Sequence, residues 1–135
     1  MQEGWLGDEY LILFSKKELQ TISEGYEIGS MLPGYEVIGL RGWDDFLVRE
    51  GGGAVFSVPT LPCIPDGLRP FSIPERADGL LADRRYAGKI KWYIKPLIFG
   101  GDPASGENLT WVTHDMHAKL VKWWNARYRE LSRKS

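Results

Sequence analysis

Between Asp8 and Gly39, three short segments with different hydrophobic periodicities follow one another, separated by fixed punctuation. Leu11-Ile12-Leu13-Phe14 is a brief apolar run, the pattern of a strand buried on both faces. Ser15 stands as an N-cap ahead of Lys16-Lys17-Glu18-Leu19, and Glu18, three residues on, completes a capping box. The helix opened there is expected to stop near Glu24, because Gly25 follows and Pro33-Gly34 lies beyond. From that Pro-Gly turn, Tyr35 to Gly39 reads as a second strand. Strand, short helix and strand in so small a span point to an α+β layer in which the helix must pack on the strands it joins.

The strand pattern continues. Phe46 to Val48 and Val55 to Val58 flank Arg49-Glu50-Gly51-Gly52-Gly53-Ala54, which reads as a hairpin whose glycines supply positive φ angles. A phosphate-binding loop is the sharper alternative, but no Gly-Lys-Ser/Thr follows and no helix opens there. Pro59, Pro62, Pro65, Pro70 and Pro74 then mark an extended surface connector, since each removes a backbone donor and fixes φ.

The ordered set Tyr10 to Phe14, Glu18-Leu19, Tyr26-Glu27-Ile28, Leu32-Pro33-Gly34, Val37-Ile38-Gly39, Phe46-Leu47-Val48 and Val55-Phe56-Ser57-Val58-Pro59 resembles the SUKH superfamily. That superfamily includes a fungal cell-wall-assembly regulator and many bacterial immunity proteins. The resemblance covers about the first half of the chain. The family's N-terminal helix and Asn-Gly-Gly turn have no counterpart ahead of the first matching strand. Leu40-Arg41-Gly42-Trp43-Asp44-Asp45 stands where a Gly-Gly-Glu loop is usual. Further on, Gly100-Gly101-Asp102-Pro103 through His117 and Trp124-Asn125 is similar to the ends of some bacterial immunity-type proteins. The resemblance implies one SUKH-like domain over 1–135, with a family-like core (1–60), a Pro-rich connector (61–75), and a strand with a C-terminal helix (76–135). It implies protein binding without catalysis, in which a bacterial toxin, often a nuclease, is neutralised by covering its working surface.

The second half is less patterned. Glu75 to Tyr86 is expected to form a short helix, with Arg84-Arg85 near its C-terminal end. Lys89 to Lys95 alternates charge and bulk like a half-exposed strand, Leu97-Ile98-Phe99 is expected to continue it, and Gly100-Gly101-Asp102-Pro103 to end it. Thr113 caps a helix running to about Ser132, in which His117, Val121, Trp124, Tyr128 and Leu131 share one stripe. Adjacent Trp123 and Trp124 point ~100° apart on a helix, so a wide buried face is the economical account of both, and an aromatic interface anchor the sharper one.

Size and charge bound the function. At 135 residues the chain can bury one core unaided. No run approaches the ~18 apolar residues of a membrane span, no charged-then-apolar leader opens the sequence, and a lone Cys63 builds neither a disulfide framework nor a cysteine-rich zinc site. A soluble, cytoplasmic protein is expected. Up to Gly67 there are 11 acidic and 4 basic residues, a balance of −7; from Leu68 there are 7 and 13, a balance of +6; together they give the −1 of the whole chain. Such asymmetry can steer a charged partner, unless the halves interleave and cancel. Lysines among aromatics at 89–95 also suggest single-stranded nucleic acid, but the acidic half argues against it.

Catalytic chemistry is not legible. His114 and His117 with Asp115 would need further ligands to hold a metal, no Gly-x-Ser-x-Gly elbow exists, and Asp44 and Asp45, adjacent in a strand or turn, would point oppositely. No cofactor is expected. The fold expected is a single α+β domain: a mostly antiparallel twisted sheet of about five or six strands, helices on one side, and a C-terminal amphipathic helix. The function expected is protein binding through Asp8, Glu9, Glu24, Glu27, Asp44 and Asp45, with Trp43 as a central anchor, against a toxin domain such as a basic nuclease. A regulatory scaffold or small-molecule binder is the runner-up, and a small hydrolase or metal-dependent enzyme using His114, His117 and Asp115 the third reading. An unpaired sheet edge would suit a homodimer.

Overall fold

Alternating apolar residues in the first half pair into a meander, seen in a computed structural model that describes residues 2–51, 53–72 and 80–133. Six strands, β1 (Gln2–Leu6), β2 (Glu9–Leu13), β3 (Tyr35–Arg41), β4 (Asp45–Glu50), β5 (Val55–Pro59) and β6 (Arg69–Pro70), lie side by side in chain order, each antiparallel to the next. A second sheet pairs β7 (Ile90–Tyr93) with β8 (Leu109–Val112), also antiparallel. Helix α1 (Leu19–Tyr26) and the single turn α2 (Ile28–Met31) sit between β2 and β3, and α3 (His114–Arg133) closes the chain. The whole is a single α+β domain.

Registers assign the core. Ile12 pairs with Leu40, Leu40 with Phe46 and Phe46 with Val58, so these four share one face. Tyr26 of α1 packs its ring edge-on against Phe46 at 4.8 Å, which puts the helices on that face. Leu11 and Leu47, offset by one residue, fall on the opposite face and are equally buried. Strands buried on both sides lose the polar alternation that marks a half-exposed sheet, which is why Leu11 to Phe14 reads as an unbroken apolar run. Burying a side chain such as Phe46 stabilises the fold by ~2–3 kcal/mol.

Local signals mostly act as the sequence implies, with instructive departures. Ser15 N–H donates to Glu18 Oε1 at 2.7 Å, a bond that pulls the Glu18 carboxyl down to about 2, but it closes a turn ahead of the helix: α1 opens at Leu19 with Glu18 at its N-cap, so Ser15 is not the cap expected. The helix, however, runs through Gly25 and stops two residues later, where Glu27 adopts a left-handed backbone (φ 54°). Tyr26 explains the extension, since its ring is anchored in the core and carries the last turn with it. Thr113 does cap α3, its Oγ1 accepting from Met116 N–H at 3.3 Å.

Four expectations for the rest are revised. Leu97–Phe99 forms a turn of 3-10 helix instead of extending β7, because Pro96 cannot donate to a ladder. The stretch after Pro59 is not purely a surface connector: Thr60 and Cys63 are buried. Of the helix expected over Glu75 to Tyr86, residues 75–79 lie outside the described residues, and Leu81 makes a strand bridge to Trp5 while Asp83–Lys89 turns. Gly4 allows that bridge, since a Cβ there would stand 2.6 Å from the Leu81 carbonyl oxygen. Finally, Trp124 packs inward against Phe99 at 4.8 Å, whereas Trp123 is 60% exposed; the buried face of α3 does not account for both. Among the described residues, no helix is long and apolar enough to cross a membrane.

Candidate functional site

Two turns on neighbouring strands border an open, charged cleft. The β1–β2 turn carries Asp8, Glu9 opens β2 just after it, and the link from β3 to β4 carries Gly42, Trp43 and Asp44. Gly42 (φ 59°) and Trp43 (φ 64°) both adopt left-handed backbone. Gly42 does so freely, but for a bulky aromatic this conformation costs of order 1–3 kcal/mol and persists only where the surroundings hold it. The surroundings do: Gly42 N–H donates to the Tyr10 carbonyl at 2.7 Å, and Thr60 N–H and Oγ1 both donate to the Asp44 carbonyl, at 3.0 and 3.1 Å. The turn is thereby fastened to β2 on one side and to the end of β5 on the other.

The Trp43 ring is gripped as firmly. It stacks on Tyr10 (4.8 Å, 17°) and meets Trp111 edge-on at 5.2 Å, with Tyr86 also at 5.2 Å and Trp5 at 6.1 Å. This cluster draws on β1, β2, the β3–β4 turn, the 83–89 turn and β8, and so ties the second sheet to the first.

Charge is distributed unevenly around it. Arg41 donates through Nε and Nη2 to Glu9 Oε1 (2.9 and 2.5 Å) and through Nη1 to Ser57 Oγ (3.3 Å), over the ring of Phe71. Lys91 Nζ donates to Asp44 Oδ2 at 3.1 Å and lies 5.1 Å from the Tyr93 ring centre and 6.0 Å from that of Trp43. Burial works against the Lys91 charge, yet Asp44 and Tyr93 outweigh it and raise the pKa. Burial also raises the Asp45 carboxyl, helped by the neighbouring Asp44 charge and offset in part by Arg41.

Of the seven residues expected to bind a partner, Asp8, Glu9, Trp43, Asp44 and Asp45 line one open cleft of about 430 Å³. Glu24 and Glu27 do not; they sit at the C-terminal end of α1, beside the start of β3. Asp44 and Asp45 do not diverge as expected of adjacent residues: Asp44 from the turn and Asp45 from the start of β4 both line the same cleft. Sequence reasoning overlooked Arg41 and Lys91, which interleave with the carboxylates, and Tyr86 and Trp111, which support Trp43. For Lys91 the signal was present in the alternation of 89–95; for Arg41 only the register against β2 and β5 reveals it.

The residues with nucleophile or metal-ligand chemistry lie elsewhere. His117 is buried, its Nδ1 hydrogen-bonded to the Tyr26 hydroxyl at 2.6 Å, and desolvation pulls its pKa down to about 3. Cys63 is buried and burial pushes its thiol up to about 12, the opposite of a reactive thiolate. His114, half-buried against Phe14, is also shifted down by desolvation. No group of three or more His, Cys, Asp or Glu among the described residues is arranged to hold a metal ion.

Comparison with family models, with curated proteins and with solved structures found no match to this chain. The likeness to the SUKH superfamily therefore rests on the ordered residues of its first half.

Proposed function

We propose that this chain is a protein-binding module without catalysis of its own, acting through the face formed by the β1–β2 and β3–β4 turns. The observation that carries the reading is the placement of Trp43: an aromatic held at a costly backbone geometry beside a cleft whose charges do not balance. Asp8, Glu9, Asp44 and Asp45 face two cations, Arg41 and Lys91, which leaves a surplus of two negative charges. Leu97 and Ile98, which line a neighbouring recess together with Asp44 and Asp45, stay exposed. Aromatic anchors, a clustered apolar patch and a charge surplus of one sign are what a partner-binding face presents. Six of the ten residues lining the cleft are charged, whereas small-molecule sites are predominantly apolar, so the small-molecule reading is the weaker.

Taken with the SUKH resemblance, the partner is a toxin domain with a basic working surface, such as a nuclease, and this chain is its immunity protein. An acidic face covering a phosphate-binding cleft gains electrostatic steering as well as occlusion. The test is co-expression with the product of the adjacent reading frame. Wild-type chain should rescue growth from a toxic neighbour, and Trp43→Ala should weaken the complex by at least ~2 kcal/mol, the scale of an interface hot spot. Asp44→Lys with Asp45→Lys should slow association and flatten its salt dependence. A neighbour that is not toxic, or an association rate unmoved by charge reversal, would refute this reading.

A further inference from the structure

Asp44 and Asp45 line a second, smaller recess as well as the cleft. It measures about 200 Å³, and its walls are mostly apolar, among them Leu61, Pro96, Leu97 and Ile98. That volume lies below the ~300–1,000 Å³ of small-molecule sites and suits a single side chain. Apolar walls with carboxylates among them call for a group that is greasy along its stem and cationic at its tip.

The molecule contains its own precedent for such a cation. Lys91 extends from β7 so that its ammonium meets Asp44 and lies over the rings of Tyr93 and Trp43. Lys91 lines the cleft and not the recess, so the recess has no cation of its own among its lining residues, and among the described residues Asp45 makes no salt bridge. Leu97 and Ile98, at 45% and 47% exposure, leave the apolar wall open to an arriving chain.

We propose that this recess receives one arginine side chain of the partner protein, with its guanidinium against Asp44 and Asp45 and its methylene stem along Pro96 and Leu97. Arginine suits the site better than lysine, because its planar fork can span two adjacent carboxylates and its weaker hydration lowers the cost of entry. This inference rests on the protein-binding reading and deepens it by naming the group that enters.

The test titrates N-acetyl-arginine amide into the whole chain and follows backbone amide shifts by NMR, with N-acetyl-citrulline amide as a neutral isostere and N-acetyl-lysine amide as a second cation. Saturable shifts at Asp44, Asp45, Leu97 and Ile98 are expected, with a dissociation constant of millimolar order. Asp45→Asn, checked for folding by its own amide spectrum, should weaken the arginine amide about tenfold, and citrulline amide should not saturate. Equal binding of the citrulline or lysine amide, shifts mapping elsewhere, or no binding would overturn the proposal. The two readings fail separately. A chain that captures the toxin through Trp43 but ignores arginine amide refutes the arginine recess alone; one that takes arginine amide but binds no toxin refutes the protein-binding reading.

Discussion

The seam around His117 and the ridge around Asp44 are built from similar parts, aromatic rings with titratable groups among them, and they differ in how they are closed. At the seam, the His117 ring is enclosed edge-on by Tyr26 and Trp92, and its Nδ1 is bonded to Tyr26. Two turns of α3 further on, buried Asn125 accepts from Cys63 N–H (2.8 Å) and donates to the carbonyls of Thr60 (2.7 Å) and Val121 (2.9 Å). At the ridge, the rings are packed but the carboxylates beside them open into two recesses, and their cations are too few. Polar groups sealed inside hold a fold together; polar groups half-open with surplus charge are available to another molecule.

Substitutions should separate the two regions by the quantity that responds. At the seam the largest stability effect is expected for Asn125→Ala, which leaves the Cys63 N–H and the Thr60 carbonyl buried without their partner; a loss of about 3 kcal/mol in urea unfolding is the expected outcome. A loss under ~1 kcal/mol would mean the connector is not fastened through this residue.

The next effect depends on pH. His117 has a folded pKa near 3 against an ordinary 6.5, so the unfolded chain binds a proton that the folded chain refuses. Stability is therefore full above about 6.5 and falls as pH drops toward the folded value, by up to ~1.4 kcal/mol per unit. Between pH 7 and 5 this amounts to about 2 kcal/mol, and His114, also shifted down, adds in the same direction. In His117→Gln the slope over that window should shrink markedly, measured by urea midpoints at each pH; an unchanged slope would move the effect to other groups.

The seam also shows what could be read in advance. The α3 stripe from His117 to Tyr128 and the apolar run of β2 were legible, because burial there follows simple periodicity; Leu131, placed on the same stripe, is 41% exposed near the helix end. Asn125 was not, since its importance comes from Cys63 and Thr60, more than sixty residues away in the chain. Strand β1 was missed because Gly4 and Glu3 weaken its pattern, and it is held by pairing to Leu81 as well as to β2. At the ridge, Asp44 and Asp45 stood out through the acidic balance of the first half of the chain. The pairing of Arg41 and Lys91 with the carboxylates depends on register and on the approach of a second sheet, which composition does not encode.

At the ridge, the comparisons turn on smaller differences between variants. Trp43→Ala and Trp43→Gly both lose the aromatic packing, but glycine accepts φ 64° without strain, so the glycine variant should be the more stable of the two by about 1 kcal/mol. Equal stabilities would show that the turn relaxes when the ring is gone. Smallest of all, Asp45→Asn removes a carboxylate whose ionisation the fold opposes, and its stability at pH 7 should rise or hold within about 0.5 kcal/mol. A clear loss would place Asp45 with the seam, as a group the fold needs.

The most direct test of the account is growth rescue by the chain carrying Asp44→Lys and Asp45→Lys, expressed beside the toxic product of the neighbouring reading frame and shown by circular dichroism to fold as wild type does. The account predicts that wild type protects and the charge-reversed chain does not. Full protection by the charge-reversed chain would contradict it.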